Sequence, residues 1–178
     1  MKYNCYTAGP LFNPDQIDTC EKVENALSDY GFEFFSPRLN GGVFHKDAPK
    51  EEREKQARAI FVGNERAMAN ADFAVINLDD KDTGTAWEFG YFFCKGTPCV
   101  SYSKHGYGAN IMLSQSGMAH FSDLTGLRLF LKNFRDILDD TIPDPEWSEQ
   151  EFVKECFRLA ISKTEQDVGL EFKGLSDE

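Results

Sequence analysis

Short apolar runs of strand type alternate along this chain with longer stretches of helical period, a pattern that predicts a mostly parallel sheet with helices on both faces. The first run is "YNCYTA", and it leads to Asn13-Pro14-Asp15-Gln16. That tetrapeptide has the form of a capping box with proline at the first helical position. A helix is therefore predicted from about Pro14 to Tyr30, ended by Gly31. The second run, "FEFFSP", stops at Pro37, and a polar, glycine-containing loop follows to about Pro49. It is too irregular for the core and long enough to read as a functional cover. From Lys50 onward, Ala57, Ile60, Phe61, Asn64, Ala67, Met68 and Ala71 are spaced as one inward helical face, which leaves Asn64 as a polar residue in an apolar stripe. The strand "ADFAVINL", a helix from Thr85 to Lys95, the strand "TPCVSYS", a short strand around "MAHF" and a helix from about Leu124 to Leu138 come next. Past Pro143 and Pro145, Ser148-Glu149-Gln150-Glu151 caps a last helix reaching about Lys163, and residues 166–178 are polar and expected to fray. The expected fold is a single α/β domain over residues 1–165. It is a Rossmann-like (flavodoxin-like) three-layer sandwich around a mostly parallel sheet of about five strands.

Composition narrows the partners. With 178 residues, 41% hydrophobic and 28% charged, the chain fits one domain with a real core. A net charge of -11 argues against nucleic acid or an anionic membrane surface, since both need a basic face. Small molecules and other protein chains remain. The five cysteines are an odd number without a CxxC pair, which reads as reduced thiols and a cytoplasmic location. Met1-Lys2-Tyr3-Asn4 leads straight into a strand, without the pattern of a signal peptide. No apolar run approaches the ~20 residues that span a bilayer.

In open parallel sheets a ligand lies outside the carboxyl ends of the strands, so the residues after each strand are read together. Here these are Tyr6 with Gly9, Ser36 with Arg38, the stretch from Asp79 to Glu88, and the segment leading to Asn110. No GxGxxG follows the first strand and no GxxxxGK[ST] occurs, so no nucleotide cofactor held by a glycine loop is expected. Gly9-Pro10 makes a tight turn that brings Leu11 and Phe12 over this edge. Thr85-Ala86-Trp87-Glu88 matches a capping box, in which the glutamate bonds back to the cap's own N–H. On pattern alone that structural role outweighs catalysis, although a helix N-terminus also favours the ionised carboxylate that a nucleophile requires. Asp79, Asp80 and Asp82 read first as solvated turn residues, and their spacing fits no metal loop. His45, His105 and His120 lack ligand spacing, so no metal is expected. Tyr6 reads first as a packing residue, Asn64 as a buried amide satisfied by backbone, and Trp87 as a core aromatic near enough to the turn to line a pocket.

Five segments taken together resemble the nucleoside 2-deoxyribosyltransferase family in order and spacing: Tyr6 to Phe12, Phe35 to Arg38, Asn64 with Asp72, Asp82 to Gly90, and Asn110-Ile111-Met112. The resemblance covers roughly Lys2 to His120. It implies exchange of the nucleobase of 2′-deoxyribonucleosides through a covalent deoxyribosyl-glutamate intermediate, with retention by two displacements. By this resemblance Glu88 is the nucleophile, Tyr6 holds its carboxylate, and Asp82 bonds the base and helps protonate it as it leaves. Asn64, Gly9, Phe12, Arg38 and Trp87 are the matching candidates for substrate binding, with Phe12 and Trp87 at the base. Asn110 and Met112 would bind the 5′-hydroxyl end from a neighbouring subunit, which implies a homo-oligomer, a dimer or trimer of dimers, acting in nucleotide salvage without a cofactor. Several family members carry aspartate where this chain has Asn64, and an amide cannot act as a general acid. Proton delivery then falls to Asp82 or a water. Two other readings compete. One is an N-glycoside hydrolase of deoxynucleosides or their 5′-monophosphates, for which Asn110-Ile111-Met112 lacks phosphate donors. The other is a non-catalytic nucleoside-binding module, against which Tyr6, Asp82 and Glu88 together weigh.

Overall fold

The computed structural model describes residues 3–104 and 110–169. Strands β1 (Asn4–Ala8), β2 (Glu33–Phe35), β3 (Phe73–Asn77), β4 (Cys99–Tyr102) and β5 (Ala119–Phe121) form one parallel sheet in the order β2-β1-β3-β4-β5. The helices are α1 (Pro14–Asp29), α2 (Pro37–Asn40), α3 (Lys50–Ala69), α4 (Thr83–Lys95), α5 (Ile111–Ser114), α6 (Leu124–Asp140) and α7 (Glu149–Val168). This is the expected α/β sandwich with the flavodoxin-like strand order. From β1 the chain moves outward to β2, then returns to β3 on the other side, so the loops after β1 and β3 part and open a crevice. Central β3 is buried along its whole length, as a strand covered on both faces must be. Among the described residues no helix is long and apolar enough to cross a membrane.

Alternation along the strands divides the core. Cys5, Phe73, Val75, Val100 and Phe121 point into a cluster with α1, α6 and α7, and Tyr6, Ala8, Ala74, Ile76 and Cys99 into a second with α3 and α4. Gly9 follows directly on β1. A Cβ there would lie 2.9 Å from Cys20 Sγ and 3.0 Å from Asn77 Cβ, so only glycine lets the strand leave the sheet at this point.

Several boundaries depart from the sequence pattern. The helix expected at Thr85 begins at Thr83, because Asp82 is its cap. The loop expected from Pro37 opens with the one-turn helix α2, started by a proline already set to helical φ. The predicted inward stripe on α3 is mostly uncovered: Met68 is the one buried residue of this helix, and Phe61 is 55% exposed. Geometry explains it, since a 20-residue helix runs ~30 Å and a five-residue strand only ~17 Å, so α3 overhangs the sheet. Helix α7 runs past the expected end at Lys163 to Val168, where Gly169 closes it in the left-handed region. Its last turn is held by Asn133 of α6, which donates to Thr164 Oγ1 at 3.1 Å and Asp167 Oδ2 at 3.0 Å. Of the expected tail, residues 170–178 lie outside the described residues.

Candidate active site

Tyr6 is fully buried in β1 on the α3/α4 side, stacked on Phe35 at 5.6 Å between ring centroids. Its hydroxyl donates to Glu88 Oε1 at 2.6 Å, the length of a hydrogen bond to an ionised carboxylate. The partner comes from the second turn of α4, eighty-two residues on, so this contact joins strand edge to helix. Burial pushes the Glu88 carboxyl up to about 7, the Tyr6 hydroxyl pulls it back, and the Asp82 charge adds to the rise. Burial, then the Glu88 charge and the bond to it, hold the Tyr6 phenol well above its ordinary range, so Tyr6 stays a donor.

Asp82 does not lie free in a solvated turn. Its Oδ2 accepts from both the backbone N–H and the hydroxyl of buried Thr85, each at 2.7 Å, which caps α4. The box expected between Thr85 and Glu88 does not form, because the cap lies three residues earlier and Glu88 falls beyond the first turn. A capping duty therefore does not account for Glu88. Asp79 is also buried and accepts from Ser103 Oγ at 2.7 Å. Asp80 accepts from Gln16 and adopts a φ of 61°.

The remaining candidates are spread around this pair. On α3, Asn64 holds a buried side-chain oxygen without a hydrogen-bond partner, so the backbone satisfaction expected of it is absent at Oδ1. One helical turn earlier Phe61 packs on Trp87, which is half exposed and meets Tyr91 at 5.9 Å. Phe12 extends from the loop after Gly9, 79% exposed. Arg38 turns to α1: its Nε donates to Glu24 Oε1 at 3.1 Å, Nη1 to Glu21 at 3.0 Å, and Nη2 to the second Glu24 oxygen. All three of its nitrogens thus donate within the chain. Asn110 Oδ1 caps the short helix α5 by accepting from the N–H of Met112 at 3.0 Å, and the Met112 side chain is 76% exposed.

A model of the family described as nucleoside 2-deoxyribosyltransferase matches residues 5–122, from β1 through β5. The chain belongs to the nucleoside 2-deoxyribosyltransferase family. Among solved structures it is similar to the 2-deoxyribosyltransferase of the psychrotolerant bacterium Bacillus psychrosaccharolyticus, at 31% identity and TM-score 0.60, over 70% of this chain and 90% of that one. It also aligns with a conserved protein of Enterococcus faecalis V583 at 20% identity and TM-score 0.48, over 88% and 98% of the two chains. No curated protein sequence matches the chain.

The family match ends just after β5 and so contains Tyr6, Asn64, Asp82, Glu88, Asn110 and Met112. Within it, the arrangement supplies a partly buried carboxylate oriented by a phenol, beside a second carboxylate anchored at a helix N-terminus. Such a pair can attack an electrophilic carbon from one side and receive or direct a leaving group on the other. Sequence reasoning assigned no site role to Gln16 or to Thr85. Gln16 was hidden by the very box it was expected to complete: its Oε1 accepts from the N–H of Phe12, one residue before the cap Asn13. Asp80 carries only a weak signal for its left-handed backbone, since aspartate enters that region more often than most residues but glycine is the usual marker.

Proposed function

We propose that the protein exchanges the nucleobase of 2′-deoxyribonucleosides by a double displacement with retention. The Glu88 carboxylate attacks C1′ as the C1′–N bond breaks, the electron pair leaves with the base, and a proton reaches the base through Asp82 or a water. A second base then attacks C1′ through a ring nitrogen whose proton returns to Asp82 or the water, and Glu88 departs as carboxylate. The observation that carries this reading is the 2.6 Å bond from Tyr6 to Glu88 in a partly buried setting at the crevice edge. It fixes one oxygen of the nucleophile and leaves the other for the sugar. The Bacillus psychrosaccharolyticus neighbour, a 2-deoxyribosyltransferase, supports the same chemistry.

Asn64 serves the sugar or the nucleophile as an orienting amide: its orphaned Oδ1 is costly to bury unless a substrate donor completes it. Phe12 and Trp87 flank the base. Arg38 acts through the segment it ties to Glu24, and Gly9 by letting the backbone pass close to Asn77. A second copy of the chain covers the exposed apolar side chains of α3, α4 and α5, including Phe61, Phe93 and Met112, and brings Asn110 and Met112 to its neighbour's sugar.

Incubation with deoxyinosine, with and without free adenine, tests the reaction by chromatography. Deoxyadenosine should form, and consumption of donor should be faster with adenine than without. Hydrolysis at one rate in both cases would replace this reading with a hydrolase.

A further inference from the structure

The loops after β1 and β3, residues 9–13 and 78–82, carry Phe12 and Asp82 and so form the two walls of the crevice at the switch point. One side chain bridges them. Gln16 is 6% exposed; its Oε1 accepts from the backbone N–H of Phe12 at 2.7 Å and its Nε2 donates to Asp80 Oδ2 at 2.8 Å. The amide supplies an acceptor to one loop and a donor to the other from two separate atoms of one side chain. A glutamate would lose the donor and face the Asp80 carboxylate with a like charge.

The contact also holds an unfavourable backbone. Asp80 and Lys81 take φ of 61° and 54° in succession, a region that residues with a Cβ avoid and that persists where the surroundings enforce it. The start of the same loop is fastened by Asn77, whose Oδ1 accepts from the Asp79 N–H at 3.1 Å and whose Nδ2 approaches Cys20 Sγ at 3.9 Å. Its end is fastened by the bonds from Thr85 to Asp82. Gln16 fastens the strained middle.

We propose that Gln16 is a positioning residue for the nucleobase: by locking the Phe12 loop to the loop that leads into Asp82, it sets the gap in which the base is held. This rests on the functional reading above. The base meets Phe12 and Asp82, whereas water attacking the glycosyl-enzyme needs neither wall. Loosening the tether should therefore weaken use of an acceptor base more than it slows hydrolysis.

The test compares wild type, Gln16→Leu, Asp80→Gly and Asp80→Asn, measuring the acceptor KM for adenine and the hydrolytic kcat at saturating deoxyinosine, with Tm as a control for folding. Gln16→Leu and Asp80→Gly should each raise the acceptor KM about tenfold, the effect of a lost hydrogen bond, with hydrolytic kcat held within about threefold. Asp80→Asn should stay close to wild type, because its amide oxygen still accepts from Gln16 and asparagine tolerates the left-handed region. Asp80→Gly separates tether from strain, since it relieves the backbone while removing the bond. An unchanged acceptor KM in either Gln16→Leu or Asp80→Gly would overturn the proposal, as would Asp80→Asn behaving like Asp80→Gly. A wild-type chain that transfers no deoxyribose would sink the functional reading first, and the proposal with it.

Discussion

On the face covered by α1, α6 and α7, Phe73 meets Phe32, Phe134 and Phe157 at centroid separations of 5.1, 5.2 and 6.0 Å. On the other face the strands offer mainly small side chains, and the aromatic ring of Tyr6 ends on a carboxylate. The first face is built on this cluster of buried rings. The second partly buries an acid whose ionisation is opposed by its surroundings, beside a helix that is largely uncovered. Two successive residues of β1 show the division: Cys5 points into the ring cluster and Tyr6 into the site. A strand of period two can thus assign stability to one side of a sheet and chemistry to the other. The packed side makes the burdened side tolerable.

Substitutions should separate the two faces, and the largest effect falls on catalysis. Glu88→Gln removes the proposed nucleophile while keeping an acceptor for Tyr6, so transfer should fall by about 10³-fold or more with the fold retained. Steady-state assay with circular dichroism checks both halves. Near-native turnover in this variant would end the case for Glu88.

Next in size is a pair aimed at stability. Phe134→Ala opens a cavity among Phe32, Phe73, Phe130 and Phe157 and should cost about 3–5 kcal/mol in denaturant unfolding. Per folded molecule its turnover should not change. Phe61→Ala, on the uncovered helix, should cost the isolated chain less than about 1 kcal/mol. Equal losses would contradict the division of labour between the faces.

Tyr6→Phe lies on the boundary. The ring contacts to Phe35 and Phe92 survive, but the donor that lowers the Glu88 carboxyl is lost. The carboxyl should then titrate above its present value of about 7, and the rise of kcat/KM with pH should move to higher pH. At neutral pH the rate should drop about tenfold, with part of the loss recovered in alkaline buffer, as for a lost hydrogen bond to a charged group. A profile that keeps its midpoint would show that Tyr6 does not tune Glu88.

The fold was legible because period two and helical period alternate cleanly, and the caps at Asn13 and Ser148 form where their residue types predict. Helix α3 misled, since an apolar stripe says that a face will be buried but not by what. Thr85 misled for a related reason. Thr-Ala-Trp-Glu and Asp-Thr-Gly-Thr both satisfy the local rule for a helix start, and the tertiary bond from Tyr6 to Glu88 favours the earlier one. The motif residues themselves stood out in the sequence, whereas the tether through Gln16 required two loops to be seen side by side.

The smallest effect bears on what the chemical face costs. Glu88 titrates near 4.5 when unfolded and at about 7 when folded. Across that window the folded chain holds a proton that the unfolded chain has released, so stability falls as pH rises from 4.5 to about 7, and the full cost stands above it. At pH 4 both states are protonated and the residue costs nothing by this route. Glu88→Gln mimics the neutral acid and keeps the oxygen that accepts from Tyr6. Its Tm should therefore match wild type at pH 4 and exceed it at pH 8, by roughly 2–4 °C for each 1 kcal/mol relieved. Differential scanning calorimetry at the two pH values reads the difference directly. A variant destabilised equally at both would mean that the carboxylate is stabilised where it lies, and that the burial around Glu88 imposes no charge penalty for catalysis to exploit.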